Sequence, residues 1–219
     1  MEEKKFVALK KDEYGVKEFV KKELGKGKIS GIKIEYTPIG EKIIIITNKP
    51  GFVVGRKGER IQELTEILKK RFHLENPHIE IMEIIKPEFD AQTVADEIAL
   101  DLERFGSLRF KVIAYKMMEK INKAGALGVE IRLSGKLPSE RAKSWRFASG
   151  YLKKTGDTAK IVNRAEARAE TLPGTIGIKV SILPPNVKIH DKIEVNEELM
   201  SKIRLNNVPI IEEKKRRKK

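Results

Sequence analysis

The chain has 219 residues and a formal charge of +14, from 46 lysines and arginines against 32 acids, with a pI near 9.7. With 36% of residues charged and that sign, a polyanionic partner is favoured over a small neutral substrate. Cysteine is absent, which excludes disulfides and thiolate metal sites; no apolar run approaches the ~20 residues of a membrane span, and no signal-peptide pattern opens the sequence.

From Asp12 to Leu24, Val16, Phe19, Val20 and Leu24 recur on one helical stripe, with Asp12 as N-cap and Gly25 as stop. Gly31 to Tyr36 alternates polar and apolar residues and predicts a half-buried strand. A turn at 37–40 leads to the β-branched run Ile43 to Thr47, suited to a central strand, which Pro50 and Gly51 end. A short helix from Phe52 to Val54 breaks at glycine. A longer one from about Gly58 to Arg71 then sets Ile61, Leu64 and Leu68 on one face, with Ile67 beside them. His78 to Ile85 reads as a strand, so residues 1–86 form an α-β-β-α-α-β module.

After Pro87 come two helical patterns, Asp90 to Phe105 and Leu108 to Ala124, punctuated by Gly106 and Gly125. Val129 to Leu133 alternates as a strand, Arg141 to Lys154 is expected to be a basic helix or partly helical loop, and strands follow at Ala159–Thr171 and Gly177–Leu183. Residues 87–185 thus predict two helices on an antiparallel sheet. Residues 186–219 form a basic tail expected to be flexible, ending in the six consecutive cations Lys214 to Lys219. The fold class expected for the whole chain is α+β.

The charge is zoned. Residues 48–73 carry seven cations against three anions and residues 126–160 carry eight against three, while residues 76–107 between them carry eight acids against two cations. Two binding modules explain that pattern better than one evenly basic surface.

The first zone contains Val53-Val54-Gly55-Arg56-Lys57-Gly58-Glu59-Arg60-Ile61. A side chain at either glycine would hold a sugar-phosphate chain away from the backbone, and glycine also permits a tight turn between helices. The helix that follows offers free N–H groups and a partial positive charge, to which Arg56 and Lys57 add two full charges. Val53, Val54, Ile61 and Leu64 are expected to form an apolar wall for bases. This is the arrangement of a KH domain, whose GXXG loop clamps about four nucleotides of single strand. A P-loop is excluded because no Gly-Lys-Ser/Thr follows at the required spacing. A second GXXG, Gly174-Thr175-Ile176-Gly177, carries no cation and is expected to be a hairpin turn.

The second zone interleaves Lys136, Arg141, Lys143, Arg146, Lys153 and Lys154 with Trp145, Phe147 and Tyr151. Rings among cations can stack on bases. Burial is the commoner fate of large aromatics, so Trp145 is expected in the core, with the cations left to bind. Chemistry is poorly supplied: His73, His78 and His190 are scattered, and Asp96, Glu97 and Asp101 on one helix fit a solvated acidic face better than a two-metal nuclease.

The KH module around VVGRKGERI, followed by GVEIRLSGKLPSERAKSWRFASGYLKKTGD and GTIGIKVSILPP, resembles the family of small ribosomal subunit protein three, the universal KH-containing proteins of the subunit head. The resemblance runs from about Phe6 to Pro185 and is nearest the archaeal and eukaryotic branch; with the Lys-, Glu- and Ile-rich composition it suggests an archaeal, thermophilic source. It implies a cytoplasmic, non-enzymatic component of the ribosome. Its implied partners are small-subunit rRNA, mRNA at the entry channel and neighbouring head proteins, with no membrane and no cofactor. In bacterial members, mRNA unwinding at the channel rests on three cations of a helix matching Phe110 to Lys123. The matching positions here read Lys111, Val112 and Tyr115, with Lys116 next to them. The residues expected to contact RNA are therefore Gly55, Arg56, Lys57, Gly58 and Arg60 in the first module and Lys111, Lys116, Lys136, Arg141, Lys143, Arg146, Lys153 and Lys154 in the second. The alternatives are a free KH regulator of single-stranded mRNA and a DNA-repair lyase or nuclease.

Overall fold

The computed structural model describes residues 2–38, 40–72, 74, 76–187, 189, 200, 201 and 203. Two separate hydrophobic cores lie within one compact unit, Met1–Val187. Most of the expected tail, including its six terminal cations, and the histidines His73 and His190 lie outside the described residues.

The first core gathers α1 (Glu2–Leu24), β1 (Gly31–Thr37), β2 (Gly40–Thr47), α2 (Pro50–Val54), α3 (Glu59–Phe72) and β3 (His78–Glu83). The strands lie in the order β1-β2-β3, with β1 antiparallel and β3 parallel to β2. The central place of β2 explains its unbroken isoleucines, of which Ile43, Ile44 and Ile45 are all buried. Val16, Val20 and Leu24 of α1 and Leu64 and Leu68 of α3 close the core. α1 starts ten residues before the expected N-cap at Asp12. Its first ten residues are exposed wherever their side chains are described, so no buried stripe marks them, and Lys10 pairs with Glu13 one turn on.

The second core is built from α4 (Ala91–Phe105) and α5 (Phe110–Lys123) against β4 (Gly128–Gly135), β5 (Lys143–Gly150), β6 (Asn163–Thr171) and β7 (Gly174–Leu183). The strands run β5-β4-β7-β6, every neighbouring pair antiparallel. Asp90 caps α4 by accepting the Thr93 N–H at 2.8 Å, a contact worth about 1 kcal/mol. Ala91, Val94, Ala95, Ile98, Ala99 and Leu102 make its buried stripe. Ala165, Ala167 and Ala169 present small side chains from β6 to the same core, which lets helix and strand approach closely.

Two expectations fail here. Residues 143–150 form the edge strand β5, not a helix: KSWRFASG alternates with period two, and pairing along β4 outweighs the helical look of its cations. Gly174 to Gly177 is no turn either. The reversal is made by Leu172 and Pro173, Thr171 already pairs with Gly174, and β7 runs straight through both glycines.

The two cores are tied at one joint. The Gly27 N–H donates to Asp96 at 3.2 Å, and Lys26 Nζ reaches Glu103 at 3.0 Å. At Gly27, φ is +77° and an added Cβ would lie 2.8 Å from Leu100 Cδ1, so the backbone conformation favours glycine here. Burial raises the Asp96 carboxyl above its ordinary range, against the opposing hydrogen bonds from Gly27 and Gln92.

Candidate nucleic-acid interface

α2 ends where Gly55 adopts φ +73° and donates its N–H to Gly51 O, and a single 3₁₀ turn over Arg56–Gly58 carries the chain into α3. A Cβ at Gly55 would meet Arg60 Cβ at 2.8 Å, so the close approach of loop and helix needs a bare backbone there. Gly58 has φ +81° and open space where a side chain would stand. Between them Lys57 takes φ +52°, the one non-glycine residue with positive φ among the described residues. Arg56 and Lys57 are both exposed. A lysine held in the left-handed region costs of order 1–2 kcal/mol relative to glycine, and the loop keeps it.

Beside the loop, Arg60 Nη1 donates to Phe52 O at 3.3 Å, and Lys28 Nζ lies 5.4 Å from the centroid of the Phe52 ring. Phe52 is 52% exposed. The expected apolar wall is only half present. Val53 and Leu64 are sealed in the core, which leaves Val54 and Ile61 half-buried at the surface.

In the second module the cations separate by strand parity. Lys143, Trp145 and Phe147 share the side of β5 that faces α5, whereas Arg146 points to the opposite, outer side with Arg132 of β4. Trp145 is 38% exposed, not a core residue; its ring sits 5.5 Å from buried Phe110, with Lys111 Nζ 4.6 Å from its centroid. An edge strand has no neighbour to cover such a ring. Phe147 is buried and packs edge-on against Tyr115 at 5.2 Å. Lys111, Val112, Tyr115 and Lys116 form the exposed face of α5. Lys136 and Arg141 are exposed on the β4–β5 loop, while half-buried Lys153 and exposed Lys154 follow β5.

The acids of α4 do not form a reaction centre. Asp96 holds Gly27 and Gln92, Glu97 pairs with Lys120 at 3.2 Å, and among the described residues no three His, Asp or Glu side chains converge as a metal site would require.

Residues 15–89 match the family model of the KH domain, and residues 98–182 match that of the ribosomal protein S3 C-terminal domain. A small ribosomal subunit protein uS3 of Methanocaldococcus jannaschii is 44% identical over 184 residues, covering 84% of this chain and 88% of that one. The chain belongs to the uS3 family. Other uS3 relatives come from Methanosphaera stadtmanae, 36% identical over 90% of this chain and 78% of its own, and Halobacterium salinarum, 38% identical over 84% of this chain and 60% of its own. All three sources are archaeal, as the composition and motif pattern suggested, and uS3 proteins are ribosomal components rather than enzymes.

The uS3 chain also carries cations at both surfaces that sequence reasoning missed. Lys28 stands before β1, far in sequence from the Phe52 ring it reaches. Arg132, Arg164 and Lys179 sit at alternate strand positions, and that alternation was the available signal.

Proposed function

We propose that this protein binds small-subunit rRNA in the ribosomal head, lines the mRNA entry channel and contacts neighbouring head proteins. Residues 1–86 and 87–185 act as its two RNA-facing modules, and residues 186–219 contribute further cations. The observation that carries this reading is the Gly55–Gly58 loop. It exposes Arg56 and Lys57 at the start of α3 with a backbone that a phosphate chain can approach. The second module supports it with Lys111 of α5 beside Trp145, and with Lys116 exposed farther along the same helix. Its RNA-binding residues are Gly55, Arg56, Lys57, Gly58, Arg60, Lys111, Lys116, Lys136, Arg141, Lys143, Arg146, Lys153 and Lys154. As part of the ribosome the protein works in the cytoplasm, and among the described residues no helix is long and apolar enough to cross a membrane.

The test is sedimentation. Tagged protein expressed in an archaeal host should migrate with the small subunit through a sucrose gradient and stay there at moderate salt. Protein found in the light fractions, or with free mRNA alone, would overturn the ribosomal reading in favour of a free KH regulator.

A further inference from the structure

Arg132 on β4 has a cation directly opposite it on both neighbouring strands, Arg146 on β5 and Lys179 on β7. Like charges at directly opposed cross-strand positions are destabilising, so folding gives no reason to place three in a row. With strands about 4.8 Å apart, the row spans roughly 10 Å of backbone across the outer face of the sheet. Rule-breaking arrangements of this kind collect at functional surfaces.

The two arginines of the row share one carboxylate. Glu130, one strand position pair away, is 9% exposed and contacts Lys154 at 2.7 Å, Arg146 Nε at 3.1 Å and Arg132 Nη2 at 3.4 Å. Burial pushes its carboxyl up, but the Lys154 hydrogen bond and the Arg146 and Lys154 charges outweigh burial and leave it below the ordinary glutamate range. Three cations on one anion leave a positive surplus, and all three side chains remain about half exposed. Farther along, Lys179 pairs with Glu166 at 2.7 Å, and Arg164 Nη2 reaches Lys154 O at 3.4 Å. The result is an open groove of about 340 Å³ whose rim includes Glu130, Arg132, Lys154, Arg164, Glu166 and Lys179.

We propose that this outer sheet face is a second phosphate-binding surface for RNA, in which Arg146, Arg132 and Lys179 follow the sugar-phosphate backbone and Glu130 is the positioning residue that fixes the geometry of the two arginines. Guanidinium forks match phosphate oxygens in pairs, and side chains already fixed by Glu130 lose less freedom on binding. An acidic protein partner fits less well. No exposed outward position of the four strands carries a large apolar side chain, and protein interface cores are enriched in aromatics and methionine. The inference rests on the RNA-binding reading above and extends it to Arg132, Arg164, Lys179 and Glu130.

The experiment measures binding of full-length protein to a small-subunit rRNA transcript over a KCl series, after circular dichroism has established that each variant is folded. Arg132→Gln with Lys179→Gln should lower the slope of log K against log [KCl] by about 1.4–1.8, two contacts at roughly 0.7–0.9 each. Glu130→Gln should weaken binding although it removes a negative charge; a carboxylate that merely sat in the patch would, once neutralised, leave binding tighter. An unchanged slope in the double variant, or tighter or equal binding by Glu130→Gln, overturns the proposal. Should Glu130→Gln fail to fold, the double variant decides alone. A double variant that keeps its slope but no longer joins the subunit would assign the face to a protein neighbour, which also overturns it. The Arg56→Asp, Lys57→Asp protein is run beside these. If it binds like wild type, or wild type does not bind, the RNA reading itself fails; if it alone is weakened, the sheet-face inference fails and the KH reading stands.

Discussion

Lys111 Nζ lies 4.6 Å from the centroid of the Trp145 ring, joining the first turn of α5 to the edge strand β5. The ring rests on Phe110 on one side and keeps more than a third of its surface open. A cation over an indole face contributes about 0.5–1 kcal/mol at an exposed site, and both groups stay available to a nucleic acid.

Trp145 is the single tryptophan, so its fluorescence reports this place alone. Titration with small-subunit rRNA should quench or shift its emission, and Trp145→Ala should cost about 2 kcal/mol of stability, less than the 3–5 kcal/mol of a fully buried aromatic. RNA binding with unchanged emission would remove Trp145 and Lys111 from the interface.

Charge at the KH loop is separable from folding. Both Arg56 and Lys57 are exposed, so replacing both with aspartate should leave the circular dichroism spectrum and unfolding midpoint near wild type. The salt slope of RNA binding should fall by at least about 1.4, two contacts at ~0.7 each. Wild-type affinity in this variant would show that the loop is no clamp.

Backbone conformation at the same loop predicts opposite effects two residues apart. Gly55→Ala forces a Cβ to within 2.8 Å of Arg60 Cβ at φ +73°, and should destabilise the protein by more than about 1 kcal/mol. Lys57→Gly relaxes a left-handed lysine at φ +52° and should be neutral or stabilising by up to about 1 kcal/mol, while RNA binding weakens. Urea midpoints on the two variants check the signs. Destabilisation by Lys57→Gly comparable to that of Gly55→Ala would refute the strain argument.

Asp96 gives the joint between the modules a pH dependence. Its carboxyl titrates above the ordinary value of 3.8 because it is buried, so the folded state binds more protons than the unfolded one. The contribution of its protonated form is therefore fully present below pH 3.8 and is lost as pH rises through the higher folded value. Asp96→Asn still offers a carbonyl oxygen to the Gly27 N–H and should remove that part of the pH profile. Denaturant midpoints of both proteins across the acid range test this, and identical profiles would exclude Asp96 as the source.

Elements whose periodicity is set by local chemistry were legible without coordinates. The apolar helical pattern from Asp90 to Phe105, the isoleucine run of β2 and the glycines around Arg56 and Lys57 each announce themselves, because a buried helix face, a doubly buried strand and a tight turn between helices require particular residue types. The start of α1 was not, since an exposed helical turn needs no apolar spacing. Residues 143–150 were misread because cations and aromatics suit a helix and an edge strand alike until β4 supplies a pairing partner.

Composition, charge zoning and the GXXG loop thus determined by themselves an α+β chain with two basic modules. Tertiary pairing alone decided which cations share a surface. On a strand, neighbours in sequence face opposite ways, so Lys143 and Arg146 part company while Arg132, Arg146 and Lys179, drawn from three strands, stand side by side, the two arginines on Glu130. That grouping depends on cross-strand register, which is a property of the assembled sheet and of no single segment.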